Sequence, residues 1–400
     1  MFVSPSHLPQ LLAPAHYRDG EVLRREIEHG FLPAWHLVAV RSEWPAEGSF
    51  LTRTLLGHEL ILWRHGGAVR AFLNVCPHRF CAVTSLPSGC FAERIRCQYH
   101  GWEFDDTGLT RRIPDAPAFR PMEGTRLGLR EYAVATVGEL VFVNLAERPQ
   151  PLEEWLGGAH ALCAERCGGD WEHVWSWEPE GPGNWKLAME ITLEGYHATE
   201  THAATLGRFP LPREEAMRHD LRRADRCGLE VAYAEDDHPD IRASCRQLRR
   251  LGREPEFVYH HLHAFPHFGI IASDAYAVAQ SIVPLTPTTH VNRYRMFVYR
   301  GRAGGLAALT RRRSTRDLVA FWSRVFAEDA AMTAAHQRGM GAPTHPDGGL
   351  VSRREERVVH FQRWCLGLPH ATDGGHVAAH AARLPLVPEA RAAAGAAAGG

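Results

Sequence analysis

From about Leu37 to Leu145 the chain is built of short apolar or alternating runs. These are Glu-Leu-Ile-Leu-Trp at 59–63, Ala-Phe-Leu-Asn-Val at 71–75 and Leu-Val-Phe-Val-Asn at 140–144, with Gly, Pro and Asp between them. Runs of that length bounded by turn residues predict a small all-β domain. Upstream, residues 1–36 read as helical, with mixed charge and apolar spacing over 21–30. Pro149 and Pro151 mark a linker. Beyond it the texture is mixed. Strands are predicted at 269–273, 277–283 and 292–299. A long helix is predicted over 314–340, with Ser314 or Thr315 as N-cap, Asp317 in the first turn and Gly339 or Gly341 at the end. Residues 213–253 interleave Arg, Glu and Asp and read as a solvated helical insertion or lid. Residues 391–400 are Ala/Gly low-complexity sequence, expected to be disordered. The expected class is α+β, divided as a helical segment at 1–36, a β domain at 37–150, a mixed domain at 151–385 and a tail at 386–400.

Composition narrows the function classes. The 400 residues carry 45 basic and 46 acidic side chains, a net charge of −1, so no electrostatic footprint for nucleic acid or an anionic membrane is present. With 45% hydrophobic and 23% charged residues, the chain has apolar surface enough for a large core. No apolar run reaches the roughly 18 residues of a membrane span. The first ten residues lack the basic and apolar regions of a signal peptide. Nine scattered cysteines, an odd number, argue against a disulfide framework and for a reducing cytoplasm. The sole lysine is Lys186, as expected of a genome biased toward Arg codons.

Two short segments carry chemistry. The first reads Asn-Val-Cys76-Pro-His78-Arg. The second, 18 residues on, reads Cys97-Gln-Tyr-His100-Gly-Trp. Each offers one thiolate and one imidazole. Side by side they present two sulfurs and two nitrogens, the ligand set of a Rieske [2Fe–2S] centre. Pro77 and Gly101 stand where tight turns would bring backbone N–H groups toward the cluster. The alternative is a structural zinc site, although zinc sites pair like with like, as C-x2-4-C and H-x3-5-H.

With these motifs the sequence resembles the Rieske non-haem iron oxygenases, specifically their catalytic α subunits of the aromatic-ring-hydroxylating type. That resemblance implies a second metal site downstream. The run Asn-Trp-Lys186 leads to Glu194, His197 and His202. Glu194 and His197 are three apart and would share a helical face. His197 and His202 are about 140° apart on a helix, so they converge only if the helix ends or bends, which Ala198 to Thr201 would allow. On the late helix Leu318, Trp322, Val325, Asp329, Met332 and His336 form one mostly apolar stripe. Asp329 is thereby directed into a core, where a carboxylate needs a partner or a metal. Glu328 falls off that stripe. Two His and one Asp are the facial triad of non-haem Fe(II) oxygenases.

The resemblance implies further expectations. The catalytic domain would be a helix-grip, START-like fold, with a twisted antiparallel sheet around the long C-terminal helix. Glu194 would bridge His100 of one chain to His197 of the next in a head-to-tail homotrimer. Family members that oxidise quaternary ammonium compounds use Glu there, whereas others commonly use Asp. Ile191 stands where the family often has Asn. Electrons would come from NAD(P)H through a ferredoxin or flavin reductase, because no G-x-G-x-x-G opens a βαβ unit in this chain. A separate β subunit is also compatible. The expected reaction uses O2 to hydroxylate or oxidatively demethylate a small organic substrate. The alternatives are cis-dihydroxylation of an aromatic ring, a Rieske electron carrier without oxygenase activity, and a zinc-binding structural protein. Phe265, Phe268 and Trp322 are expected wall residues of the pocket.

Overall fold

The computed structural model describes residues 8–119, 127–301 and 306–368. The tail at 386–400 lies outside them. Seven strands form the first sheet, in the order Trp35–Val40, Leu140–Asn144, Glu131–Val137, Ala68–Leu73, His58–His65, Ser49–Leu55 and Ser88–Cys90. Leu60, Ile61, Leu62 and Trp63 are all buried, so this central strand is covered on both faces and reads as a continuous apolar run. Its hairpin to Ala68–Leu73 closes on Gly66 and Gly67, both at positive φ, as a two-residue turn of this hand requires. A three-stranded sheet, Ile95–Arg96, Glu103–Phe104 and Thr110–Arg112, lies beside it.

The second sheet is fully antiparallel. Its order is Trp171–Trp177, Thr289–Tyr299, Tyr276–Thr286, Phe268–Ala272, Val258–Ala264, Arg226–Ala232 and Met217–Asp220, with Glu180–Pro182 also pairing to Thr289–Tyr299. The helices in chain order are α1 (Gly20–Glu26), α2 (Leu152–Leu156), α3 (Gly158–Arg166), α4 (Trp185–Thr192), α5 (Ala198–Thr201), α6 (Pro239–Arg250), α7 (Leu306–Met340) and α8 (Glu356–Cys365). Period-two alternation assigns the faces of the central strands. Ile270, Ala277, Ala279 and Phe297 face the core of α2 and α3, which also holds Trp35, Leu37 and Phe142 of the first sheet. Ile271, Val278 and Met296 face Trp322, Val325 and Phe326 of α7. The Tyr294 and Phe326 rings stack there at 4.0 Å. No helix among the described residues is long and apolar enough to cross a membrane.

Three expectations need correction. The long helix begins at Leu306, not at 314, because the Ala-, Leu- and Arg-rich stretch before Ser314 is itself good helix sequence. Ser314 and Thr315 are therefore interior, and Ser314 Oγ donates to Gln247 of α6 rather than capping. Residues 213–253 are not a helical insertion. Met217–Asp220 and Arg226–Ala232 extend the sheet, and only α6 is a long helix there. Met217–Asp220 is the edge strand and Arg226–Ala232 the next one in, and the exposed Arg218, Asp220 and Glu230 on them mask the strand period. Phe265 and Phe268 are not pocket walls: Phe268 packs on Phe142 and Trp155, and Phe265 on Phe361 and Trp364.

The helix that leads to the second site is tied down by buried polar groups. Asn184 caps α4, its side chain accepting from Lys186 N–H at 2.9 Å. Lys186 Nζ donates to Glu26 Oε1 of α1 at 2.6 Å, and both side chains are 0% exposed. Trp185 Nε1 donates to the other Glu26 oxygen. One turn on, Glu190 Oε1 accepts from Tyr17 Oη at 2.8 Å and from Gln362 Nε2 at 3.0 Å. Burial pushes the Glu190 carboxyl up from 4.5 to about 7, against the pull of those hydrogen bonds. Between those two pH values the folded protein keeps a proton that the unfolded chain releases. Stability from this group is therefore full below 4.5 and is lost as pH rises to 7, by about 3 kcal/mol. Urea midpoints of Glu190→Gln should lack this part of the decline between pH 5 and 8; a slope equal to that of the parent protein would contradict the assignment.

Candidate metal centres and the adjoining cavity

Cys76 and Cys97 are each 2% exposed, at the tips of two loops that close on themselves. Cys76 N–H donates to Cys81 O, and Phe80 N–H returns to Cys76 O. Cys97 N–H donates to Trp102 O, and Gly101 N–H returns to Cys97 O. Gly101 sits at φ +70°, a conformation that favours glycine. Gln98 locks the loops together: its N–H donates to Val83 O, its side-chain amide donates to Ala82 O and Ser85 Oγ, and its Oε1 accepts from Ser85 N–H. The Nδ1 atoms of His78 and His100 lie 3.2 Å apart. That is the separation of two ligand atoms sharing one ion at about 2.1 Å. His78 stacks on Trp102, with ring planes 6° apart at 5.0 Å. Burial pushes the Cys76 thiol up to about 11, and the neighbouring Cys97 sulfur adds to this. A pair of buried thiolates there needs a cationic partner, so the donors suit a Rieske cluster with two sulfurs on one iron and two imidazoles on the other.

The second group forms where α4 ends. The helix stops at Thr192, and Leu193 to Tyr196 are not helical. His197 then caps the single turn α5, and His202 ends it at φ −106°, ψ 30°. His197 and His202 thus flank one short helical turn, His197 at its start and His202 where it ends. Ala198 to Thr201, where a bend was expected, are helical. Glu194 and His197 meet across a loop rather than on one helix face. The Glu194 carboxylate accepts from the N–H groups of Tyr196 and His197 and from His197 Nδ1.

Asp329 of α7 completes a cluster of three. His197 Nε2 is 3.2 Å from His202 Nε2, and Asp329 Oδ1 is 3.5 Å and 3.0 Å from them. Two ligands at right angles, each about 2.1 Å from one ion, lie about 3.0 Å apart, so these atoms form one face of an octahedron. Asp329 Oδ1 is buried and has no well-aligned hydrogen bond among the described residues. Burial opposes a charge on His197, yet the Asp329 and Glu194 carboxylates outweigh it and hold its pKa up to about 9. The same field favours a metal cation. The donor set fits a divalent iron with three open positions.

Glu328, set aside by the stripe argument, has a role beside the cluster. Its Oε2 meets His202 Nδ1 at 2.8 Å and accepts from Thr205 Oγ1 at 2.6 Å. Both histidines therefore offer Nε2 inward and hold a carboxylate on Nδ1, the outer-shell arrangement that orients metal-binding imidazoles. Thr205 gave no signal in the sequence. The three ligand atoms open on a cavity of about 780 Å³ between the second sheet, α6 and α7. Ile191, Ile271, Phe321, Trp322 and Phe326 supply apolar wall, so of the three expected wall residues Trp322 lines it. Arg357 of α8 reaches the same space, and sequence reasoning missed it.

Comparison with known proteins places this geometry in context. The family described as Rieske [2Fe-2S] domain matches residues 34–133. The family described as ring hydroxylating alpha subunit (catalytic domain) matches residues 169–367. The carnitine monooxygenase oxygenase subunit of Acinetobacter baumannii is 30% identical over 194 residues, 46% of this chain and 51% of that protein. The 2-aminobenzenesulfonate 2,3-dioxygenase subunit alpha of Alcaligenes sp. is 30% identical over 200 residues, 47% of this chain and 50% of that protein. The chain thus spans about half the length of the curated relatives it matches. The crystal structure of the quaternary ammonium Rieske monooxygenase CntA in complex with an inhibitor superposes with a TM-score of 0.72 at 20% identity, covering 88% of this chain and 93% of that one. At that identity the likeness shows the fold.

Proposed function

The chain belongs to the Rieske non-haem iron oxygenases, as an α subunit of the ring-hydroxylating type, and on that premise we propose that it monooxygenates a small organic substrate by hydroxylation or oxidative demethylation. The observation that carries this is the convergence of His197, His202 and Asp329 on the wall of a largely apolar cavity. Cys76, Cys97, His78 and His100 would hold the [2Fe–2S] cluster, and the triad would hold the mononuclear iron. When bound, these centres supply single electrons and the activation of O2. The chain's own residues do the rest. Glu194 and Glu328 fix the two imidazoles. Asp329 contributes the negative charge that keeps a cation in place. Ile191, Trp322 and Phe326 keep water from the reacting end of the substrate. Residues 37–150 would be the cluster unit and 151–385 the catalytic unit.

A head-to-tail homotrimer is part of the reading. His100 is exposed beside Tyr99, and Phe80 and Leu86 of the neighbouring loop are exposed as well. Tyr196, next to Glu194 and His197, is also exposed. These apolar groups around both centres suit an interface in which Glu194 of one copy reaches His100 of another. The electron donor would be a ferredoxin or flavin reductase drawing on NAD(P)H in the cytoplasm.

Single turnover of the reduced protein under ¹⁸O₂ tests the reaction, with carnitine and 2-aminobenzenesulfonate in the substrate panel. The expected product carries one labelled oxygen. Two labelled oxygens in a diol would assign the chain to dihydroxylation instead. A cluster that stays reduced under O2 would contradict an oxygenase. In the same assay, compared at equal mononuclear iron content, Glu194→Ala should turn over at least about tenfold more slowly, the lower range for loss of an outer-shell partner. An unchanged rate would count against the bridge.

A further inference from the structure

One arginine on the cavity wall forms no ion pair among the described residues. Arg357 is 1% exposed, and its Nε and Nη1 have no hydrogen-bond partner among the described residues. Other wall arginines are placed differently. Arg208 pairs with Asp240 at 2.9 Å, Arg311 pairs with Glu172, and Arg354 is only half-buried. The charge of Glu194 reaches Arg357, but that carboxylate is already engaged by His197 and two backbone N–H groups.

The surroundings make an unpartnered guanidinium costly. Burial lowers the proton affinity of Arg357 itself. Burial also holds His219 down at about 4 and His261 well below its ordinary value, so these neighbours are neutral and supply no negative charge. Arg357 further lies in the first turn of α8, where the helix dipole disfavours a cation. A buried charge without a partner destabilises a fold. Neither the helix nor the core accounts for an arginine at this position.

We propose that Arg357 is the anchor for an anionic group on the substrate, a carboxylate or a sulfonate. The planar guanidinium grips such a group through two parallel hydrogen bonds. The apolar remainder of the substrate then lies along Ile271, Phe321 and Trp322 toward Asp329. This rests on the reading of the cavity as the substrate site, and it narrows the substrate class to organic anions with an apolar body.

Binding of matched acid and amide probes tests it. The pairs are 4-phenylbutyrate with 4-phenylbutanamide, and benzenesulfonate with benzenesulfonamide, titrated calorimetrically into the protein as purified. The acids should bind at least about tenfold more tightly than their amides and raise the melting temperature, as a ligand of the native state does. Arg357→Met should melt higher than the parent protein in the absence of ligand, because an unpaired buried cation has gone, and should lose the acid preference. Arg357→Gln is a second neutral variant with the same expected loss. Absence of an acid preference in the parent protein, or its persistence in either variant, would overturn the proposal. These are binding measurements without turnover. A missing anion preference and a missing oxygenase activity are therefore separate results.

Discussion

Asp329→Ala is expected to abolish turnover and mononuclear iron binding while leaving the cluster absorbance spectrum intact. Asp329 supplies the one carboxylate of the triad, and its Oδ1 stands 3.0 Å and 3.5 Å from the two imidazole nitrogens. Without it, only the two neutral imidazole nitrogens face the ion, and the remaining carboxylates, Glu194 and Glu328, stand behind the histidines on Nδ1. The loops that carry Cys76 and Cys97 share no hydrogen bond with Asp329, so the cluster should assemble as before. Glu328→Ala provides the internal scale. It removes the partner of His202 Nδ1 but no ligand, and should weaken iron binding by roughly 10–100-fold. Asp329→Ala should exceed that loss. Iron analysis and single-turnover rates of the two variants check the order; full activity in Asp329→Ala would refute the triad.

Lys186→Met should destabilise the fold by about 3–5 kcal/mol, because it leaves Glu26 charged, buried and unpaired. Burial already pushes the Glu26 carboxyl above its ordinary value, even with Lys186 and Trp185 bonded to it. The companion variant Lys186→Met/Glu26→Gln removes both charges and keeps an acceptor for Trp185 Nε1. It should recover most of the loss. Urea midpoints measure both; a double variant no better than the single would mean that Lys186 acts through packing and not through its charge. The sole lysine of the chain thus anchors α1 to the helix that leads to His197.

What was legible in the sequence divides by the range of the interactions. Cys76-x-His78 and Cys97-x2-His100 are local motifs, and their spacing alone limits the metal they suit. Asp329 was found because a long helix has a regular period and a carboxylate breaks an apolar stripe. Glu328 was dismissed by the same argument, since a helical wheel considers one stripe and cannot see that α5 brings His202 Nδ1 to the flank of α7. The strands Met217–Asp220 and Arg226–Ala232 are hidden in the sequence because, at and next to the sheet edge, they carry exposed charge at Arg218, Asp220 and Glu230. Phe265 and Phe268 were misplaced because an apolar residue near a site resembles one in a core until the sheet face is known. Arg357 left no trace at all: its meaning lies in the partner it lacks, which only the packing around it reveals.

The central claim is that one chain holds two different iron centres. Iron, zinc and acid-labile sulfide content of the purified protein tests it most directly. The account predicts a red-brown protein with about three irons and about two sulfides per chain. Zinc in place of iron, without sulfide, would contradict it.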